Sequence, residues 1–510
     1  MKNYVLAHDL GTTGNKATLY DPQGKLAGSA FYGYTTEYAH TRWAEQNPQD
    51  WWRAVCTSTR KLIQETGVQP EHIACVTFSG QMMGCLPVDE HGNPLRNSII
   101  WADQRATPQQ DWLAKRIAPE RVYQITGHRL SASYSLSKML WLRDHQPEVF
   151  RRAHKFLHAK DYIVSRLTGA FVSEPSDASG MNLMDIQQGI WSEEILQAAQ
   201  VELDCLPRIL RSIDVAGQVR REVAEEAGVP AGTPVVIGGG DGACAAVGAG
   251  AVREGSGYNY LGSSAWISLT TSRPIFDPQY RTFTFGHIVP GCVTPTGTMQ
   301  AAGASYQWLR DQLCTAEVET GQHQGANPYE LMNQVAGSSP PGANGLIFLP
   351  YLMGERSPRW NPHARGAFLG LTIRHTRADM IRAVLEGVTL NMRIILDAFR
   401  AQGAQIEAMR VIGGGARGRF WNRILADIYG LPVHRLAILE EATSMGAALA
   451  GGIGVGLYPD FSLAEKMNQV VEVIEPDPAA QAVYERSYAI FEEAYRALVP
   501  VYESMAAAML

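Results

Sequence analysis

The chain has 510 residues, too many for one ordinary core, so two domains are the first expectation. An apolar content of 45% is that of a globular protein, and a formal net charge of -6 spread over this length provides no broad cationic face for nucleic acid or an anionic membrane. No apolar run reaches a membrane span, no cleavable leader is read at the start, and the 7 cysteines are scattered without a C-x-x-C pair, so no disulfide framework or zinc site is indicated; small-molecule partners and a cytoplasmic location are expected.

In chain order, the first element is a strand through Leu6 that runs into Gly11, Thr12, Thr13 and Gly14. Glycines let an anion approach the backbone, threonines add donors, and successive N-H groups form an anion nest. Asp9 would repel phosphates unless a divalent cation stood between them, which suggests magnesium. A plain hairpin is the other reading, because Thr12 to Tyr20 resembles a second strand ending in the turn Asp21 to Gly24. His8 alternates to the face opposite Asp9 and is read as structural.

Segments around Trp112 and from Leu140 to Arg152 read as helices. The run Pro234 to Ile237 ends in Gly238, Gly239, Gly240 and Asp241 and is followed by a helix-like Ala243 to Ala249, within which Cys244 reads as a buried apolar thiol. Tyr258 to Leu261 then enters Gly262, Ser263 and Ser264 before the strand-like Trp266 to Leu269, an echo of the opening hairpin. Ile381, Val384, Leu385, Val388, Met392, Ile395 and Phe399 form a helical stripe, with Arg382, Glu386 and Arg393 off it. Met409 to Ile412 entering Gly413, Gly414, Gly415 and Ala416 echoes the turn at Gly238. Helical patterns at Phe420 to Ile428 and Ala479 to Leu498 follow, the last packing on the second domain. Two similar α/β halves facing each other would leave a cleft lined by glycine turns from both.

These motifs resemble the FGGY carbohydrate kinases. Ser133, Ser135, Lys138, Met139, Trp141, Leu142, Asp144 and His145 look like the first family signature; Gly366, Phe368, Gly370 and Leu371, then Asp379, Met380 and Ala383 to Glu386, look like the second. Trp43, Glu45, Gln46, Pro48, Trp51 and Trp52, Gly80 to Met82, and Leu349 to Pro358 are most similar to the xylulokinase subgroup. The resemblance implies an α/β protein with two actin-like (ribonuclease-H-like) ATPase domains facing an interdomain cleft. Residues 1–248 would carry the sugar site, the first phosphate loop and the base; residues 249–510 would bind nucleotide, with a helical tail from about 455.

The implied activity is ATP-dependent phosphorylation of a ketopentose hydroxyl, with xylulose at its terminal position as the first expectation and Mg2+ as the metal. Asp241 matches the family's catalytic base, the alternative being a cap on the following helix. Asp9 keeps the metal role. Gly11, Thr12, Thr13, Lys16, Gly262, Ser263, Ser264, Gly303, Gly414, Gly415, Ala416 and Asn422 match nucleotide contacts, and Gln81, Met82, Met83, Trp101, Asp103 and Arg105 match sugar contacts beside Asp241. Within the sugar set Asp103 is the strongest expectation, as a carboxylate accepting from two hydroxyls.

Two positions depart from the subgroup: Met83 stands where it typically has His, and Ala102 where it has Asn. Loss of two polar side chains would loosen or redirect sugar preference. Kinases of glycerol, gluconate, L-ribulose, L-xylulose or an autoinducer-type polyol are therefore alternatives, as is a non-catalytic sugar- or nucleotide-responsive regulator, which need not keep Asp241. Partners are expected to be the sugar and ATP, with a homodimer left open.

Overall fold

The computed structural model describes residues 3–508. Two seven-stranded mixed sheets organise it. In the first, the strands run Val215–Gln218, Pro234–Val236, Ile73–Gly80, Tyr4–Leu10, Gly14–Tyr20 and Leu26–Gly33, with Gly239–Gly240 pairing on Ile73–Gly80. In the second the order is Phe283–Gly286, Val293–Met299, Ala265–Leu269, Gly257–Leu261, Met409–Ile412, Val433–Leu436 and Val470–Ile474.

The sheets repeat one plan. Each opening strand is antiparallel to the strand after its glycine loop and parallel to a strand reached through a helical excursion: Tyr4–Leu10 lies beside Ile73–Gly80, and Gly257–Leu261 beside Met409–Ile412. The central strand Ile73–Gly80 is buried throughout, as a strand covered on both faces must be. No helix among the described residues is long and apolar enough to cross a membrane.

Local signals account for the main helices. Pro48–Thr66 starts on Asn47, whose side chain accepts from the Gln49 N-H, and ends at the left-handed Gly67; it buries Trp51, Trp52, Val55 and Leu62 on the first sheet. Arg377–Ala401 opens with a capping box of Thr376 and Asp379 and buries the expected apolar stripe. Arg382 and Glu386 also prove buried, because the tail helix Pro478–Ala508 covers that face: Arg382 donates to Glu386 Oε1 at 2.6 Å and to the Tyr484 hydroxyl at 2.9 Å.

Between the sheets lies a pair of helices, Asp241–Gly248 and Ala442–Gly454. A Cβ on Gly248 would fall 1.7 Å from the Ala442 carbonyl oxygen, and one on Gly446 would fall 1.9 Å from that of Cys244, so the two backbones touch. Cys244 itself is buried in this apolar contact. Ala442–Gly454 lies late in the chain, yet it packs on the first sheet, with Met445, Ala447 and Leu449 in one cluster with Val5, Ala7 and Cys75. The halves meet again where the edge strand Phe283–Gly286 docks on the first half: the Thr284 N-H donates to Gly127 O at 3.0 Å, and the Gly286 N-H to Ser179 Oγ at 3.0 Å.

Candidate active site

Asp9 stands one residue from the end of its strand, opposite Lys16 on one side and Ser79 on the other. The loop after it is closed by a Gly11 N-H to Gly14 O bond of 3.0 Å. Asp9 Oδ1 is buried without a hydrogen-bond partner among the described residues, and burial pushes its carboxyl pKa up. A cation would satisfy both conditions. His8 faces the other way, bonded to Asn15 at 3.0 Å and stacked on Phe78, and burial lowers its pKa to about 3.

The second carboxylate is delivered by a turn that only glycine can make. Gly238 has φ +72°, and a Cβ there would lie 1.9 Å from the Phe78 carbonyl oxygen. Gly239 and Gly240 then pair beside Ser79 and Gly80, and Asp241 becomes the first residue of its helix. The cap position belongs to Gly240, and among the described residues Asp241 Oδ1 accepts from the adjacent Gly242 N-H, at 2.7 Å. Burial, followed by the negative charge of Asp9 and against the Gly242 bond, pushes its pKa up to about 7.

Two cavities share a wall here, and Asp241 lines the second of them. One, of about 480 Å³, is lined by Gly262, Ser263, Gly303, Gly414 and Gly415, with Tyr306, Tyr329, Trp421, Arg417 and Glu440 among its walls. Gly413, at φ +87°, turns the backbone so that the glycines face this space. The other, of about 450 Å³, is lined by Met82, Met83, Trp101 and Asp241 and, across the cleft, by Ser264, Trp266, Phe283, Phe285, Met353 and Arg356. Ser263 lines both. The hydroxyl-bearing Ser263 is thus common to the two cavities, and the half-buried carboxylate of Asp241 lines the second.

Models of the N-terminal and C-terminal domains of the FGGY family of carbohydrate kinases match residues 4–248 and 257–455. The chain is an FGGY carbohydrate kinase. It is 33% identical over 502 residues to a xylulose kinase of Staphylococcus epidermidis, covering 97% of each chain, and 31% identical over 514 residues to a gluconokinase of Bacillus licheniformis, covering 99% of this chain and 98% of the other. A ligand-bound xylulose kinase structure from Lactobacillus acidophilus superposes with a TM-score of 0.91 at 28% identity, over 98% of this chain and 99% of that one. Sugar phosphorylation with ATP as donor follows from the family, and two facing α/β halves of the actin-like type from the structure.

Several expected contacts of the kinase have other duties in the structure. Asp103 is fully buried and does not line the second cavity: its Oδ2 accepts from the Ala44 N-H at 2.6 Å and from Arg105 Nη2 at 2.7 Å, and its Oδ1 from the Arg105 N-H at 2.9 Å. Arg105 continues to Glu45 at 2.6 Å and stacks 3.6 Å above the Trp43 ring. Gln81 donates to Gln46 Oε1 at 2.7 Å and to Gly11 O at 3.4 Å, so it braces the first loop from behind. Asn422 is buried under the glycine turn with its amide on Ala416 O at 2.8 Å, and Ala416 is buried with it. Lys16 reaches Glu441 of the other half at 3.5 Å, while Thr12 accepts from Trp101 Nε1 at 2.9 Å and Thr13 is exposed.

Other residues around the site carry no assigned role from the sequence. Trp266 stacks on Tyr260 at 4.0 Å and donates to the Tyr258 hydroxyl, which donates to Gly242 O, both at 2.7 Å. Strand alternation after Ser264 is the signal that marks Trp266 and Ser268 as one face. Lys138, a signature residue without an assigned job, donates to Met83 O, Ile100 O and Ser133 O at 2.7, 2.8 and 2.6 Å. It thereby ties together the segments that present Met83, which is held at φ +62°, and Trp101.

Proposed function

We propose that the kinase transfers the γ-phosphate of ATP to the terminal primary hydroxyl of a ketopentose, xylulose, giving the sugar 5-phosphate and ADP. The observation that carries this reading is the junction at Ser263, where the glycine-walled cavity meets the cavity containing Asp241. Adenosine and phosphates lie along Gly262, Gly303, Gly414 and Gly415, and the sugar lies against Met82, Met83, Trp101 and Trp266. Asp241 accepts the acceptor hydroxyl proton as the oxygen bonds to phosphorus and the bond from phosphorus to the β-γ bridging oxygen breaks. A carboxylate held near pKa 7 is a stronger base than a free one and is still ionised in a useful fraction at neutral pH.

Gly11 and Thr12 present backbone and hydroxyl to the phosphates from the first half. Asp9, with its unpartnered buried Oδ1, is the residue that would hold magnesium, whose charge offsets that of the phosphate oxygens when bound. Residues 1–248 thus supply the first loop, the acceptor wall and the base, and residues 249–510 the nucleotide wall, in a protein of the cytoplasm.

A second reading, a sugar acid as acceptor, draws on Arg356. Arg356 lines the acceptor cavity and its guanidinium makes no hydrogen bond or ion pair among the described residues, so a carboxylate could engage it. The deciding experiment is a coupled ADP-release assay over ketopentoses, alditols and sugar acids. Turnover of xylulose well above that of gluconate and glycerol is expected; inert ketopentoses with rapid gluconate or glycerol turnover would overturn the assignment.

A further inference from the structure

Behind the turn that carries Asp241 lies a buried polar cluster with no part in the transfer step described above. The Gly240 N-H donates to Ser176 Oγ at 2.8 Å, and Ser176 Oγ donates to Glu174 Oε1 at 2.6 Å. Glu174 also accepts from the Ser176 N-H at 2.9 Å, the Asp177 N-H at 2.9 Å and Ser212 Oγ at 2.8 Å, and it lies 3.5 Å from the Lys160 ammonium. All of Lys160, Glu174, Ser176 and Asp177 are fully buried. We propose that Ser176, oriented by Glu174, is a positioning residue that holds the Gly239-Gly240-Asp241 turn in register for phosphoryl transfer. This rests on Asp241 being the base.

The physical need is specific to that turn. Two consecutive glycines have no side chains with which to anchor themselves and the widest conformational freedom of any residues. Gly80 and Ser79 pair with them on one side, and the hydroxyl of Ser176 takes the Gly240 N-H that would otherwise be a buried orphan. The Ser176 hydroxyl can serve as acceptor there because its own proton is directed to Glu174. Glu174 in turn is held by four donors from two chain segments.

The cluster is not a metal site in this arrangement. His158, Asp161 and Asp177 place ligand atoms within 4.8 Å of one another, but the Lys160 ammonium already lies 2.7 Å from Asp161 and 2.9 Å from Asp177. The cation those carboxylates require is a side chain of the protein. Buried ion clusters of this kind add little net stability over apolar packing, and holding a geometry is their better-attested use.

The test is steady-state kinetics on the full-length protein with ATP and the sugar of highest turnover in the panel above. Ser176→Ala is expected to lower kcat about 10- to 100-fold while the KM for each substrate stays within about twofold, with unchanged nucleotide-binding stoichiometry by calorimetry. Ser176→Thr, which keeps the hydroxyl, should recover most of the rate. Ser212→Ala, one bond further from the turn, should show a smaller loss of the same kind and serves if Ser176→Ala does not fold. Combined with Asp241→Asn, Ser176→Ala should add almost nothing, because residues acting through one group are not additive. A Ser176→Ala enzyme within twofold of the parent, or one whose lost rate matches a lost binding-competent fraction, would overturn the inference. If Asp241→Asn itself kept the parental rate, the assignment of the base would fail instead.

Discussion

The two cavities differ in how they are made. Every residue lining the nucleotide-side cavity comes from the second half, between Leu261 and Glu440, and the approach to the ligand space is mainly glycine backbone. The acceptor-side cavity takes Met82, Met83, Trp101 and Asp241 from the first half and Trp266, Phe283, Phe285 and Arg356 from the second. One is preformed within a single packed unit; the other exists only in so far as the halves are held together. Changes on the nucleotide side should therefore act on ATP binding alone, and changes on the acceptor side should mix sugar binding, rate and stability.

The largest separation is expected from Lys138→Met. It leaves the carbonyls of Met83, Ile100 and Ser133 without their shared donor, and should cost about 3 kcal/mol in chemical denaturation and about 100-fold in kcat/KM for the sugar, with the KM for ATP little changed. Gly414→Val tests the opposite side. An added Cβ at Gly414 meets nothing within 4 Å, so folding should be unaffected while the KM for ATP rises about tenfold and that for sugar does not.

A smaller effect links Asp241, the proposed base, to stability. Because the pKa of Asp241 is raised in the folded protein to about 7, its contribution favours folding at low pH and is lost as pH rises through that value. Asp241→Asn should accordingly melt a few degrees above the parent at pH 8, and the difference should vanish near pH 4. The smallest effect is expected from Asn422→Ala, which removes the amide under Ala416: a two- to fivefold rise in the KM for ATP, to order of magnitude, without change on the sugar side.

The same contrast explains what could be read from the residues alone. Glycine turns are legible because a run of glycines marks where backbone comes to the surface of a cleft, and Gly262, Gly303, Gly414 and Gly415 all line one cavity. The paired opening hairpins and the stripe of Arg377–Ala401 were legible because periodicity and caps are local. Asp103 and Arg105 were not, because a carboxylate can serve whichever donors the fold brings to it, here Ala44 and its own neighbour Arg105. Phe283 and Phe285 enter the second cavity's wall through the docking of an edge strand onto the first half, and Ala442–Gly454, late in the chain, packs directly on the first sheet; neither leaves a local trace. Arg382 and Glu386, polar positions beside an apolar stripe, are buried by a helix a hundred residues later.

The central claim is that Asp241, beyond the Ser263 junction, takes the acceptor proton. The most direct test is kcat for Asp241→Ala, purified and folded as judged by circular dichroism, with saturating ATP and sugar. A loss of about 10²- to 10⁴-fold with the KM for ATP nearly unchanged is expected; a variant that phosphorylated its sugar at close to the parental rate would rule out Asp241 as the base.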